Sequence, residues 1–81
     1  MPSTTVVVGS AVGLHARPAA IIAEAVGNLG ADVTINGVDA GSSLMIMTLG
    51  AKQGAEVIVT SDDEAVLAQI ASMVSQDLDA E

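Results

Sequence analysis

The sequence predicts an α+β fold, in which helices cover one face of an antiparallel sheet. Extended and helical patterns follow one another in the order strand, helix, strand, strand, helix, strand, helix. This order lacks the regular alternation of strand and helix that is typical of a parallel sheet. The pair Asn36-Gly37 separates the two consecutive strands and is the strongest hairpin signal in the chain, which indicates that these strands are antiparallel. Because 81 residues provide room for a single core, we interpret residues 1–81 as one domain.

Four segments have the β-branched and apolar composition of strands. They comprise residues 4–8, 31–35, 38–40 and 56–60. Gly9, Ser10 and Gly13 follow the first of these segments and predict a loop between it and the first helix.

The first helix is predicted from an apolar stripe with helical spacing. The stripe consists of Pro18, Ile21, Ile22, Ala25, Val26 and Leu29. Pro18 fits the first turn of a helix, where the missing N–H of proline costs nothing. Gly27 and Gly30 lie where this helix is expected to fray and stop.

Two more helices are predicted in the second half of the chain. The shorter one ends at Leu49, next to Gly50, and either Ser42 or Ser43 can cap its start. The last helix begins after a cap and an acidic first turn within residues 61–64, which suits the helix dipole. Its apolar face consists of Val66, Ile70, Met73, Val74 and Leu78.

The composition excludes several classes of function. The formal charge is −8, and Arg17 and Lys52 are the only cationic residues, so binding to nucleic acid is not expected. The chain has no aromatic residue on which a nucleobase or the face of a sugar could stack. An acidic field can speed the encounter with a basic partner, although plain solubility explains the charge equally well.

The sequence also lacks the features of an exported or membrane-bound protein. It has no cysteine and therefore no disulfide, and its first residues lack the basic and apolar regions of a signal peptide. No apolar run approaches the ~20 residues that a membrane helix needs. We therefore expect a soluble, cytoplasmic protein that does not bind membranes.

Residues 13–20, with the sequence Gly-Leu-His-Ala-Arg-Pro-Ala-Ala, hold the only histidine and the only arginine of the chain at a predicted helix start. The free N–H groups of a helix N-terminus favour anions and disfavour a cation, so a neutral, nucleophilic imidazole is expected at His15. A phosphoryl group on His15 would meet the backbone N–H groups of Ala16 and Arg17 and the Arg17 guanidinium. The residues alone therefore predict phosphoryl transfer through His15.

Other interpretations of these two side chains are simpler. A lone histidine is often only a polar loop residue, and Arg17 can be a surface ion-pair partner, which would contribute little to stability. A metal site is disfavoured, because one histidine without cysteine leaves only carboxylates, and none of these has the local spacing of metal ligands.

The run from residue 13 to residue 19 resembles the active-site signature of HPr, the histidine-containing phosphocarrier of the bacterial phosphoenolpyruvate:sugar phosphotransferase system. Residues 43–51 and 54–57 and the chain length extend the resemblance over nearly the whole chain. It implies an open-faced sandwich, in which a four-stranded antiparallel sheet carries three helices on one face. It also implies a carrier that takes a phosphoryl group from Enzyme I onto His15 and passes it to a histidine of an Enzyme IIA domain.

The resemblance implies a protein that cycles as a substrate and is not itself an enzyme. No cofactor or metal is expected on the carrier, since Mg²⁺ and phosphoenolpyruvate belong to Enzyme I. A regulatory relative of a nitrogen-type phosphotransfer branch would have the same chemistry and remains the alternative. A third reading, an anion-binding module without transfer, is disfavoured because anion binding alone needs no nucleophile such as His15. We expect a monomer.

The short helix has more apolar residues than it can bury. If Ile46 and Leu49 face the core, Leu44 and Met47 face outward. Scattered exposed apolar residues are normal, but methionine also suits surfaces that meet several partners. The resemblance favours a docking face for Enzyme I and Enzyme IIA, formed by this helix and the first one. The docking residues predicted on this basis are Ala20, Leu44, Met47 and Thr48.

The resemblance also implies a regulatory serine at the start of the short helix, phosphorylated by an HPr kinase in some bacteria. Counting back from Gly50 without gaps places this serine at Ser42. Ser43 then falls where the family usually has an apolar docking residue. The simpler interpretation of both serines is helix capping.

Overall fold

A computed structural model of the chain describes residues 2–10 and 13–76. The elements are β1 Ser3–Val7, α1 Ala16–Leu29, β2 Val33–Ile35, β3 Val38–Asp39, α2 Ser43–Thr48, β4 Glu56–Ser61 and α3 Glu64–Ser75. Their order is the predicted one, and the predicted α+β class is confirmed. The second and third strands are shorter than predicted, because β2 begins only at Val33 and β3 ends at Asp39.

All pairs in the four-stranded sheet are antiparallel, and the strand order is β1-β4-β2-β3. The predicted hairpin joins β2 to β3, with φ of 51° at Asn36 and 83° at Gly37. Asn36 also fixes the hairpin to β4, because its N–H donates to the carbonyl of Ile58 and its Oδ1 accepts from the Ile58 N–H, both at 2.8 Å. Strand β4, which no hairpin connects to its neighbours, lies between β1 and β2 and pairs with both.

The helices cover one face of the sheet and leave the other open. Along β4, Val57 and Val59 are buried beneath the helices, while Ile58 between them is 50% exposed on the open face. The helices contribute to the core Pro18, Ala19, Ile22, Val26, Ile46, Val66, Leu67, Ile70, Ala71 and Val74.

The predicted apolar stripes differ from the observed ones at their ends. In α1, Leu29 is 38% exposed next to the left-handed Gly30, which ends the helix, and Ala19 is buried although it was not part of the predicted stripe. In α3, Met73 is only half-buried. Leu78, which was predicted to lie on the same face, is outside the described residues.

The structure also identifies the caps of α2 and α3. Ser42 caps α2, since its Oγ accepts a 3.4 Å hydrogen bond from the N–H of Met45, and Ser43 is the first helical residue. Asp63 caps α3, and its Oδ1 accepts from the N–H of Ala65 at 2.9 Å. Within residues 2–10 and 13–76, no helix combines the length and the apolar character needed to cross a membrane.

Candidate functional site

His15 is the N-cap residue of α1, with an extended backbone at φ −115° and ψ 175°. Its side chain is exposed and makes no capping hydrogen bond to the helix. Leu14, immediately before it, is only 1% exposed and belongs to the core. The buried leucine therefore anchors the chain at the point where the neighbouring imidazole is presented to solvent.

Two backbone donors lie next to the imidazole. Ala16 and Arg17 are the first two residues of α1, where helix geometry leaves the N–H groups without an intrahelical acceptor. Pro18 has no N–H, and the N–H of Ala19 already donates to the carbonyl of His15 at 3.1 Å. The first turn of α1 contains no acidic residue, so the donors predicted from the sequence are available to an anion.

A close backbone contact holds the loop that carries His15. The N–H of Leu14 donates a 2.9 Å hydrogen bond to the carbonyl of Ala51, and the N–H of Gly13 donates to the carbonyl of Ser10 at 2.9 Å. Gly13 has a φ of 73°, and a Cβ at this position would collide with the backbone of Ala51 and Lys52. Glycine is therefore needed here both for the left-handed conformation and for the close approach.

A depression of about 230 Å³ lies beside the imidazole. It is lined by Leu14, His15, Met47, Gly50, Ala51 and Lys52, which come from three separate segments of the chain. Among these lining residues, one is a lysine and one a histidine, and none is acidic. The exposed Arg17 is not part of the lining.

The turn that contains Lys52 is tied to the end of β1. Ala55 donates through its N–H to the carbonyl of Lys52, and Gly54 donates to the carbonyl of Val8, both at 2.9 Å. Val8 in turn donates to the carbonyl of Ala55 at 2.9 Å. Among the residues that the structure describes, neither Lys52 nor Arg17 takes part in an ion pair.

The predicted docking residues do not all face outward. Leu44 is 71% exposed, and Ala20 and Thr48 are also exposed. Met47, expected to face outward, is half-buried and lines the depression beside His15, whereas Met45 is 42% exposed. Both methionines lie about 100° from the buried Ile46 around the helix axis. Met47 lines the depression together with Leu14 and His15, and Met45 does not.

Ser42 lies at the N-terminus of α2, where it is half-buried as the capping residue. Its own N–H donates to the carbonyl of Asp39 at 3.2 Å. The structure thus places Ser42, and not Ser43, at the position with the capping hydroxyl, while its phosphorylation stays a prediction.

Sequence reasoning did not predict that Gly50 and Ala51 contribute to the site. They follow α2 and are far from His15 in the chain, and nothing in their composition suggests phosphoryl chemistry. The available signal was the pair of glycines at 50 and 54, which have φ of 61° and 87° and bracket a tight turn. A turn next to the single lysine of the chain was a candidate for a loop at the site.

The sequence matches a family model, PTS-HPr, whose description is "PTS HPr component phosphorylation site", over residues 2–76. It is similar to the phosphocarrier protein HPr of Streptomyces coelicolor, with 40% identity over 87 aligned positions that cover 98% of this chain and 94% of that protein.

Two solved structures are also similar to the chain. The crystal structure of HPr-C-His from Thermoanaerobacter tengcongensis has a TM-score of 0.87 and 26% identity, covering 100% of this chain and 99% of the other. The crystal structure of a phosphocarrier protein HPr from Bacillus anthracis has a TM-score of 0.83 and 30% identity, covering 90% of this chain and 95% of the other.

Proposed function

This chain belongs to the HPr family of phosphocarriers of the phosphotransferase system, and we propose that His15 carries the phosphoryl group between Enzyme I and Enzyme IIA domains. The observation that supports this most directly is the place of His15. It caps α1 with an exposed imidazole, immediately before the N–H donors of Ala16 and Arg17. A nucleophile and an anion site are therefore adjacent in the chain.

The transfer step needs no further reactant when the donor is a phosphohistidine. The lone pair of one His15 ring nitrogen attacks the phosphorus and forms the new phosphorus–nitrogen bond, while the corresponding bond in the donor breaks. The electron pair of that bond returns to the donor imidazole. The second ring nitrogen of each histidine keeps its proton, so that a phosphoimidazolium and a neutral imidazole exchange places and charge is balanced.

The chain's own groups hold the phosphoryl oxygens during this exchange. The N–H groups of Ala16 and Arg17 and the Arg17 guanidinium donate to them, and the guanidinium can donate two parallel hydrogen bonds. Because the surroundings are open to water, the bound group stays accessible to an acceptor. This accessibility suits a carrier, which must release the group as readily as it takes it up.

Docking of Enzyme I and Enzyme IIA is proposed on the exposed surface formed by Ala20 of α1 and by Leu44 and Thr48 of α2. Leu44 is the most exposed of the large apolar side chains described, at 71%. Such a residue fits an interface whose centre is apolar and depleted of charge. Met47 is assigned to the wall of the His15 depression, and Ser42 to the position where a kinase would add charge beside this surface.

The experiment is incubation with Enzyme I, Mg²⁺ and phosphoenolpyruvate, followed by intact-mass measurement. We expect the gain of one phosphoryl group, lost on acid treatment and absent in His15→Ala. Uptake of the group by His15→Ala would contradict the proposal. A subsequent incubation with Enzyme IIA domains of the sugar and nitrogen branches identifies the acceptor and so separates a transport carrier from a regulatory relative.

A further inference from the structure

We propose that Lys52 is a second cationic ligand of the phosphoryl group on His15, which it would contact in the depression that both residues line. This inference rests on the proposed function, because it concerns the group that His15 would carry. It adds to the helix N-terminus and Arg17 a residue that neither the family name nor the sequence motif identifies.

The first support is geometric. His15 and Lys52 line the same depression of about 230 Å³, which has room for a small anion and is open to solvent. The remaining lining residues are Leu14, Met47, Gly50 and Ala51, none of which carries a charged side chain. Apart from His15 itself, Lys52 is therefore the one lining residue with a side chain that could pair with a phosphoryl oxygen in this space.

The second support is the distribution of charge. The chain has ten acidic residues and two cationic ones, and none of the acidic residues within 2–10 and 13–76 lines the depression. Within the described part of the chain, no carboxylate pairs with Lys52, so its ammonium group is available to another anion. A lysine without an acidic partner in so acidic a chain is suited to a transient anionic ligand, such as a phosphoryl group.

The third support is the fixed backbone at Lys52. Its carbonyl accepts from Ala55, the carbonyl of the preceding Ala51 accepts from Leu14, and the glycine contact at Gly13 holds both segments together. The backbone is thus held next to the His15 loop, while the flexible stem of the lysine can follow the phosphoryl group as partners exchange. The ammonium forms no covalent bond in the step, since without a lone pair it acts only as a charge and a donor.

Lys52 is expected to favour the doubly charged form of the phosphoryl group, because an opposite charge nearby stabilises the charged state. Each of the three phosphoryl oxygens is a strong acceptor, so the group can accept from Lys52 in addition to the two backbone N–H groups and the Arg17 guanidinium. The pair with Lys52 is exposed to water, which limits its strength to that of surface ion pairs.

The experiment compares the wild type with Lys52→Met, which keeps the length of the stem and removes the charge, and with Lys52→Arg, which keeps the charge. Gln69→Glu, on the exposed side of α3 and outside the depression, is the control, because it changes the net charge by the same amount as Lys52→Met. His15 is loaded chemically with phosphoramidate, so that docking to Enzyme I plays no part. The pH titration of the phosphoryl group is then followed by ³¹P NMR.

In Lys52→Met, we expect the pKa of the phosphoryl group to rise by about 0.2–0.7 unit at low salt. The rise should shrink as salt is added, because exposed charges are screened. Lys52→Arg and Gln69→Glu should titrate like the wild type. With phosphorylated Enzyme I as donor, Lys52→Met should accept the group about two- to fivefold more slowly than Gln69→Glu.

An equal titration of Lys52→Met and wild type would overturn the role of Lys52 and leave the proposed function intact. An equal rise of the phosphoryl pKa in Gln69→Glu and Lys52→Met would also overturn the role of Lys52, because the rise would then follow from the change in net charge. If the wild type takes up a phosphoryl group neither from Enzyme I nor from phosphoramidate, the proposed function fails, and the role of Lys52 fails with it. Melting temperatures of all variants, expected to be unchanged because both sites are exposed, exclude a loss of fold as the cause.

Discussion

The N–H of Leu14 donates a 2.9 Å hydrogen bond to the carbonyl oxygen of Ala51 and so joins the loop of His15 to the turn of Lys52. Each partner stands immediately before a residue of the candidate site, His15 on one side and Lys52 on the other. One backbone contact between distant parts of the chain therefore sets the spacing of the backbone at His15 and at Lys52.

Gly13→Ala is expected to destabilise the protein by more than about 2 kcal/mol, because it adds the strain of a left-handed alanine to a collision with Ala51. Gly37→Ala is the matched control. Gly37 has a φ of 83° with no neighbouring atom within 4 Å, so that only the conformational strain of about 1–2 kcal/mol applies. Urea unfolding of both variants measures the difference, and equal losses would show that the approach to Ala51 is not tight.

Arg17→Ala is expected to slow phosphoryl uptake about tenfold, or ~1.4 kcal/mol, because a guanidinium can donate two hydrogen bonds to the phosphoryl oxygens. The side chain is exposed, so the melting temperature should not change. Arg17→Lys keeps the charge but loses the two-pronged geometry, and should lie between wild type and alanine. Stopped-flow transfer from phosphorylated Enzyme I provides the rates. A lysine variant as slow as alanine would show that charge alone is not what matters at this position.

Leu44→Glu is expected to reduce kcat/KM with Enzyme I about five- to thirtyfold, the effect of losing about 1–2 kcal/mol at an apolar interface. Since Leu44 is 71% exposed, stability should change by less than about 0.5 kcal/mol. Ile58→Glu is the control, because Ile58 is 50% exposed on the open face of the sheet, away from the helices. If the transfer rate falls equally in both variants, the cause is the change in net charge and not the loss of a docking contact.

Ser42 offers a test that separates capping from regulation. Ser42→Ala should lower stability by about 0.5–1 kcal/mol through loss of the cap and leave transfer unchanged. Ser42→Asp retains a capping oxygen and adds a charge beside Leu44, so it should slow transfer and leave stability unchanged. Melting temperatures and transfer rates give the two readouts. If Ser43→Asp slows transfer and Ser42→Asp does not, the assignment is displaced by one residue.

The fold was predictable because its signals are local. The Asn36-Gly37 turn, the alternation around Val57 and Val59, and the stripe that contains Ile22 and Val26 each depend on residues close in sequence. The ends of elements were less predictable, because they depend on tertiary packing. Leu29 satisfies the helical spacing, yet it is 38% exposed because the last turn of α1 extends beyond the core.

The site was predictable only in its continuous part. The pairing of His15 with a helix N-terminus follows from adjacent residues, and the structure places both as expected. The positions of Lys52 and Met47 beside the depression depend on how segments that are distant in sequence pack together. The periodicity of α2 gives Met45 and Met47 equivalent positions around Ile46, so only the neighbouring His15 loop distinguishes them.

The absence of a capping bond from the His15 side chain has a consequence for the timing of exchange. Many helix N-caps are tied down by their own side chains, and turning such a residue away would cost a hydrogen bond. The imidazole here can rotate about its side-chain bonds on the picosecond-to-nanosecond scale of exposed residues without that cost. In the proposed cycle, the ring can therefore turn from one partner to the next while α1 stays in place, and the encounter between proteins, not a movement of the carrier, sets the pace.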